Sequence, residues 1–217
     1  LDKPWHWGKY GLSMNPNITT DFVDNHPEKE WYYGDFGLSM NPNTTVDYIM
    51  ENMEKSWYWG MNGMSSNTSI TMDFLTQNIN NTWHWGKYGL SGNPSITTTF
   101  ILDNPDKIWD WGKYGLSRNS TITPSFVNAH LDKKWHWGEY GLSCNPNVTM
   151  DFVEMHSDKK WSWKKCGLGC NPNITTEFLE THINENWDWG LCGLSSHSII
   201  TPQFIDLHPD KEWKWDR

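Results

Sequence analysis

The chain has little of what soluble folds usually rely on. Apolar residues make up 36% of its 217 residues, against the roughly 45–50% usual in soluble domains, which excludes a core of ordinary aliphatic content. No apolar run approaches the roughly 18 residues a bilayer-spanning helix needs, so no membrane span is expected, and no signal peptide is recognisable. Cations are outnumbered, 17 Lys and Arg against 26 Asp and Glu, for a net charge of −9. That balance argues against a nucleic-acid partner, because phosphate binding needs a clustered basic surface. Four cysteines, Cys144, Cys166, Cys170 and Cys192, are too few for a disulfide framework. They are expected as small buried hydrophobes between stacked repeats, with a Cys166–Cys170 bridge or a metal site as the alternative. No zinc-type spacing, phosphate loop or nucleophile elbow occurs, so the sequence offers no catalytic residue, no metal ligand set and no cofactor site.

Insertions and deletions are lacking too, and that is the main positive signal. The stretch Trp5-His6-Trp7-Gly8-Lys9-Tyr10-Gly11-Leu12-Ser13-Met14-Asn15-Pro16-Asn17-Ile18-Thr19 returns at Trp83, Trp109 and Trp135, with looser copies between and after. The leading tryptophans are Trp5, Trp31, Trp57, Trp83, Trp109, Trp135, Trp161, Trp187 and Trp213, each 26 residues after the last. A fixed period of this size predicts a solenoid, here one array over 1–217 with eight full repeats and the start of a ninth. Of the 17 tryptophans, nine hold the first position and eight the third, where Tyr33 is the substitute. Burying one such ring removes on the order of 150–250 Å² from water, so a few aromatics per repeat replace many aliphatic residues, and the nine leading tryptophans are the expected repeat core.

Counting the leading tryptophan as position 0, threonine holds position 14 in every full repeat: Thr19, Thr45, Thr71, Thr97, Thr123, Thr149, Thr175 and Thr201. A carboxylate often follows two residues later (Asp21, Asp47, Asp73, Asp151, Glu177), and Pro124 and Pro202 stand directly after the threonine. Threonine as N-cap, an acid in the first turn and proline at the first helical position predict a helix start. Position 21 is His or Asn throughout, with Pro27, Pro105 and Pro209 behind it, which ends the helix after about two turns. A second helix is expected from the acid at position 23 (Glu28, Glu54, Asp106, Asp132, Asp158, Asp210) through the tryptophans to Leu12-Ser13, broken near Gly8-Lys9-Tyr10-Gly11 and stopped at Asn15-Pro16. The expected fold is therefore an all-α solenoid, each repeat a pair of short antiparallel helices. A β-solenoid is the alternative, disfavoured by the missing period-two alternation.

The strings Asn-Pro-Asn-Ile-Thr and Asp2-Lys3-Pro4-Trp5, with Trp-x-Trp ahead of Leu-Ser, resemble the tryptophan-rich tandem repeats encoded by giant DNA viruses of amoebae, along the whole chain. The Gly8 to Gly11 segment departs from that pattern and lengthens the unit. The resemblance implies a viral or virus-derived repeat protein and brings no catalytic activity with it.

Several residues invite a functional reading. Five of the nine histidines sit at position 21, where asparagine replaces them in three repeats; capping explains that exchange and acid–base catalysis does not. The second tryptophan is expected in the core or between repeats, with an exposed ladder for sugars as the alternative. Asn17, Asn43, Asn67, Asn80, Asn119, Asn147 and Asn173 fit the N-glycosylation pattern, although at four of them the completing threonine is the helix cap. Lys164-Lys165, Asn62 and His197 break the repeat and mark places where a function could enter.

Solenoids are typically interaction surfaces. The expected function is a non-enzymatic scaffold with a protein partner. The second expectation is a structural fibre joined head to tail through uncapped ends, glycosylated and extracellular or virion-associated, with a cytoplasmic site not excluded. Carbohydrate binding on a tryptophan ladder is third. Leu1-Asp2-Lys3-Pro4 matches the end of a repeat, so the chain is read as starting mid-unit.

Overall fold

The computed structural model describes residues 4–190 and 193–214; Asp2, Lys3, Cys192 and Trp215, each used in the reading above, lie outside the described residues. The chain is an all-helical repeat solenoid, and no strand occurs among the described residues. It divides into two compact blocks, Leu1–Asp110 and Trp111–Arg217. Every full repeat contributes a three-residue 3₁₀ turn, from Leu12–Met14 to Leu194–Ser196, and then one short α-helix. The α-helices are α1 (Thr20–Asp24), α2 (Val46–Glu51), α3 (Met72–Gln77), α4 (Thr98–Asp103), α5 (Pro124–Ala129), α6 (Met150–Met155), α7 (Thr176–Thr181) and α8 (Pro202–Leu207).

Each α-helix starts where the cap chemistry requires. The threonine at position 14 lies on extended backbone, and its Oγ1 accepts the N–H three residues on, as Thr45 does from Tyr48 and Thr149 from Phe152. This satisfies one of the orphan donors of the first turn. Pro124 and Pro202 are the first residues of α5 and α8. Six residues do not sustain a helix in water, so packing holds these. In α2, α3, α5, α6 and α7 the apolar pair at positions 17 and 18 is buried, as in Phe74-Leu75 and Phe178-Leu179.

The second helical element is shorter than its sequence suggests. Only the Leu-Ser-x triplet is helical; the tryptophans lie on irregular backbone just ahead of a tight turn. The acids at position 23 start no helix. They pair instead with the following lysine, as Asp158 does with Lys159 at 2.7 Å and Asp132 with Lys133 at 3.0 Å, exposed contacts of little energetic weight. What replaces the helix is a closed loop. The carbonyl of position 1 accepts the N–H of position 7, for example Tyr32 from Leu38 at 2.8 Å and His84 from Leu90 at 2.9 Å.

That loop accounts for the glycine at position 6. A Cβ on Gly37 would stand 2.2 Å from the Tyr32 carbonyl oxygen, and one on Gly63 2.3 Å from that of Tyr58. The close approach is within a repeat, not between repeats. The glycine at position 3 is different, because a Cβ there meets chiefly the side chain of position 1, and the backbone carbonyls near Gly86 and Gly138 come no nearer than 3.5 Å. Lys164 occupies that position where position 1 is the small Ser162.

In the first block, and from the fifth to the seventh repeat in the second, the 3₁₀ turns of successive repeats pack on one another. The core column is Leu or Met at position 7 and Ile or Val at position 13: Leu38, Met64, Ile70, Leu90, Ile96, Leu116, Ile122, Leu142 and Leu168 are all nearly inaccessible. Each such side chain contributes about 1.5–3 kcal/mol by burial.

Candidate functional site

Three ladders use nearly all the repeated side chains. The first is aromatic. The tryptophan at position 2 meets the leading tryptophan of the next repeat edge to face, Trp59 with Trp83 at 5.1 Å and Trp137 with Trp161 at 5.2 Å. It also stacks on the phenylalanine of its own α-helix, Trp111 with Phe126 at 8° between planes. The leading indole donates its Nε1–H to the position-21 carbonyl five residues before it, at 2.8–3.0 Å from Trp31 to Trp213. Trp57, Trp83, Trp109, Trp135, Trp187 and Trp213 are buried and Trp31 and Trp161 half-buried, whereas Trp5 is 58% exposed. The second tryptophan is half-buried between repeats in each described copy. Over its ring lies the lysine of position 24, Lys29 over Trp7 at 5.2 Å and Lys107 over Trp85 at 5.3 Å, a cation–π contact.

The second ladder is polar and buried. Ser13 Oγ donates to the Trp7 carbonyl at 2.5 Å and accepts the Tyr32 N–H of the next repeat at 2.9 Å. Ser39, Ser65, Ser117 and Ser143 do the same in their own repeats. The asparagine at position 10 works beside it. Asn171 Nδ2 reaches the carbonyls of Asn145 and Val148 at 3.2 Å, while its Oδ1 accepts Asn173 N–H at 2.9 Å. His197 stands in for this asparagine with the same bonding, its Nε2 3.0 Å from the Asn171 carbonyl and its Nδ1 accepting Ile199 N–H. These buried donors and acceptors pair only in one register, and they fix it. The sequence reading saw Leu-Ser and Asn-Pro as a helix end; their recurrence at a fixed spacing was the available signal.

This ladder occupies several of the asparagines that fit the glycosylation pattern. The Nδ2 of Asn43, Asn67, Asn147 and Asn173 is already donated to the preceding repeat, and Asn67 and Asn119 are buried. A glycan on any of the four donors would remove a ladder bond. Only Asn17 and Asn80 carry exposed side chains.

The position-21 exchange has a bonding explanation. His130 Nδ1 lies 2.8 Å from the Phe126 carbonyl, and Asn78 Nδ2 and Asn104 Nδ2 reach the equivalent carbonyls at 2.9 Å. Either side chain supplies the same donor. His156, His182 and His208 turn the other ring nitrogen to the preceding repeat, toward Asn128, Glu154 and Glu180. Burial holds the His156 imidazole below the ordinary histidine range.

The third ladder is at the surface, exposed at Tyr10 and Tyr88 and half-buried at Phe36 and Tyr140. The residue at position 5 has φ in the left-handed region: 62° at Tyr10, 52° at Phe36, 60° at Asn62, 58° at Tyr88, 57° at Tyr140 and 56° at Cys166. This conformation aims its peptide along the stack, Tyr10 N–H to Phe36 O at 3.1 Å and Tyr140 N–H to Cys166 O at 2.8 Å. At Asn62 the Ser66 hydroxyl relays the bond to the Tyr88 carbonyl. Tyr10 is 65% and Tyr88 46% exposed. Lysines accompany the rings: Lys9 over Tyr10 and Phe36, and in the second block Lys113 over Tyr114 and Tyr140. Lys9 also pairs with Asp35 at 2.8 Å and holds that carboxyl below its usual range. The Tyr140 phenol is pushed up to about 12, chiefly by its hydrogen bond to Cys166.

The cysteines depart from expectation. Cys144 and Cys166 are half-buried free thiols and Cys170 is exposed, so the Cys166–Cys170 bridge is not formed. Burial pushes the Cys144 thiol up. Among the described residues no three His, Cys, Asp or Glu side chains come together as a metal site, and no helix is long and apolar enough to cross a membrane. No protein-family model, no curated protein and no solved structure matches the chain.

Proposed function

We propose that the chain is a non-enzymatic interaction scaffold, of the virus-encoded tryptophan-rich kind its repeats resemble, and that the position-5 aromatic stripe is its contact surface for a protein partner. The single observation behind this reading is a strained backbone under rings at the surface, of which Tyr10 and Tyr88 are exposed. A left-handed conformation at a bulky residue costs on the order of 1–3 kcal/mol, and asparagine tolerates it better. Asn62 occupies the position with its peptide N–H still linked to the next repeat, through Ser66. Tyrosine or phenylalanine nevertheless stands there at Tyr10, Phe36, Tyr88 and Tyr140. The serine, asparagine and tryptophan ladders already satisfy the interior, so the rings are held for what they present outward. Aromatic rings beside lysine suit protein recognition, where Tyr is among the enriched contact residues.

A paired binding screen tests it. The chain and its Tyr10→Asn/Phe36→Asn/Tyr88→Asn variant are compared on immobilised proteins and glycans. Protein ligands lost from a variant whose melting temperature is unchanged or higher are the expected result. Identical profiles overturn the stripe, and binding to glycans alone selects a carbohydrate-binding module. Light scattering on the same samples checks the fibre alternative, whose mark is a particle mass rising with concentration.

A further inference from the structure

Position 24 reveals a second feature, independent of the tyrosine stripe. A lysine there places its ammonium over the position-2 ring in six repeats, at 5.2 Å for Lys29 on Trp7, 5.7 Å for Lys55 on Tyr33 and 5.6 Å for Lys159 on Trp137, with Lys107, Lys133 and Lys211 alike. Repeat 7 has Glu185 instead. Trp163 keeps its ring partners Phe178, His182 and Trp187, but among the described residues no cation lies over it.

The surrounding cavity has an internal control. In the first block a cavity of about 270 Å³ is lined by Tyr33, Lys29, Glu30 and Lys55, and Lys55 covers the ring itself. The equivalent cavity five repeats on, about 260 Å³, is lined by Trp163, Lys159, Lys160 and Glu185. The two differ in chemistry more than in size. One carries its own cation, and the other has a carboxylate in that cation's place beside a larger aromatic face. Glu154 also lines the second cavity and is engaged by His182 at 2.6 Å. Lys159 is held over Trp137 and against Asp158. Lys160, exposed on the rim where the first cavity has Glu30, is the other cation lining the cavity with Glu185.

We infer that Trp163 and Glu185 form a binding site for an organic cation, an alkylammonium or guanidinium group that takes the place of the missing lysine. An aromatic face with an adjacent carboxylate is the recognition chemistry such groups require. The cation comes either from a free small molecule or from a basic side chain of a partner protein. Trp59 lacks a lysine as well, but Asn81 stands at its position 24, so that ring has no carboxylate to complete a site.

Calorimetric titration of the full chain with tetramethylammonium, with an acetyl-Gly-Lys-Gly-amide peptide and with inorganic phosphate tests the assignment. Glu185→Lys restores the residue of six other repeats, so it is expected to fold, and a melting curve verifies this. The expected result is saturable cation binding weakened about fivefold or more in Glu185→Lys and unchanged or tighter in Lys160→Ala. Tighter binding of the peptide than of tetramethylammonium identifies a protein side chain as the source, and the reverse a free cation. Equal binding by the chain and Glu185→Lys, no saturable cation binding, or preference for phosphate would overturn it.

Discussion

Ser13 and Tyr32 belong to successive repeats, and the hydroxyl of one holds the backbone of the other. Ser13 Oγ bridges the Trp7 carbonyl and the Tyr32 N–H, so the start of each repeat is tied to the end of the 3₁₀ turn before it. Position 8 is serine in every full repeat but the seventh, where Gly169 stands.

Removing a bridge and adding the missing one should act in opposite directions. Ser39→Ala leaves the Tyr33 carbonyl and the Tyr58 N–H without their shared hydroxyl, a loss of about 1–3 kcal/mol. Gly169→Ser supplies the absent bridge, and its Cβ would stand 3.3 Å from the Trp163 carbonyl oxygen. A gain of about 1 kcal/mol is expected. Urea titration of both variants measures the signs, and a destabilised Gly169→Ser would contradict the bridge.

Thr44 is the one buried side chain whose polar atom finds no partner among the described residues. Its position is Ile or Val in the other seven repeats. Thr44→Val keeps the shape and removes the stranded hydroxyl, so stability should rise by about 1–2 kcal/mol. A melting temperature at or below that of the parent refutes the argument.

The two glycines of a repeat should respond differently to alanine. Gly37→Ala drives a methyl against the Tyr32 carbonyl oxygen at 2.2 Å, which forces the loop open at a cost of about 3 kcal/mol. A Cβ on Gly8 meets nothing nearer than His6 Cε1 at 3.7 Å, so Gly8→Ala should stay within about 0.5 kcal/mol. Amide exchange at Leu38 and Leu12, whose N–H groups close the two loops, reports each change locally.

Acid should weaken the chain partly through His156. Its folded-state pKa lies below the ordinary value because burial disfavours the charged ring, so the unfolded chain binds the proton more readily. Its contribution is therefore complete above pH about 6.5 and is lost as pH falls from there through the folded-state value. His156→Asn, the residue of three other repeats, removes that titration. Melting curves between pH 7.5 and 5 should fall less steeply for the variant, and parallel curves would dismiss the effect.

Much of this architecture was legible in the sequence. The fixed spacing of Trp5, Trp31 and their successors gave the repeat, and Thr45 with Asp47 marked α2 because cap and dipole chemistry are local. The tryptophan segment was misread as helix. Its chain reversal depends on a carbonyl, that of Tyr32, meeting Gly37 and Leu38, and no propensity encodes that contact. His197 and Asn62 looked like departures from the pattern. In the fold His197 reproduces the bonding of the asparagine it replaces, and Asn62 keeps the same left-handed backbone as the aromatic residues of its position.

By itself the sequence determined the period, the threonine-capped helices and the use of tryptophan as core, because each follows from residues near one another in the chain. It also fixed glycine at position 6 of every repeat. Only the tertiary structure decided what that glycine is for, which serine and asparagine atoms join neighbouring repeats, that Tyr10 and Tyr88 at position 5 stand exposed, and that the lysine replaced by Glu185 is one that covers the position-2 ring in six other repeats. Those outcomes depend on atoms that the loop closes over five residues, as from Tyr32 to Gly37, or that stacking joins across 19 to 28 residues, and local propensity encodes neither.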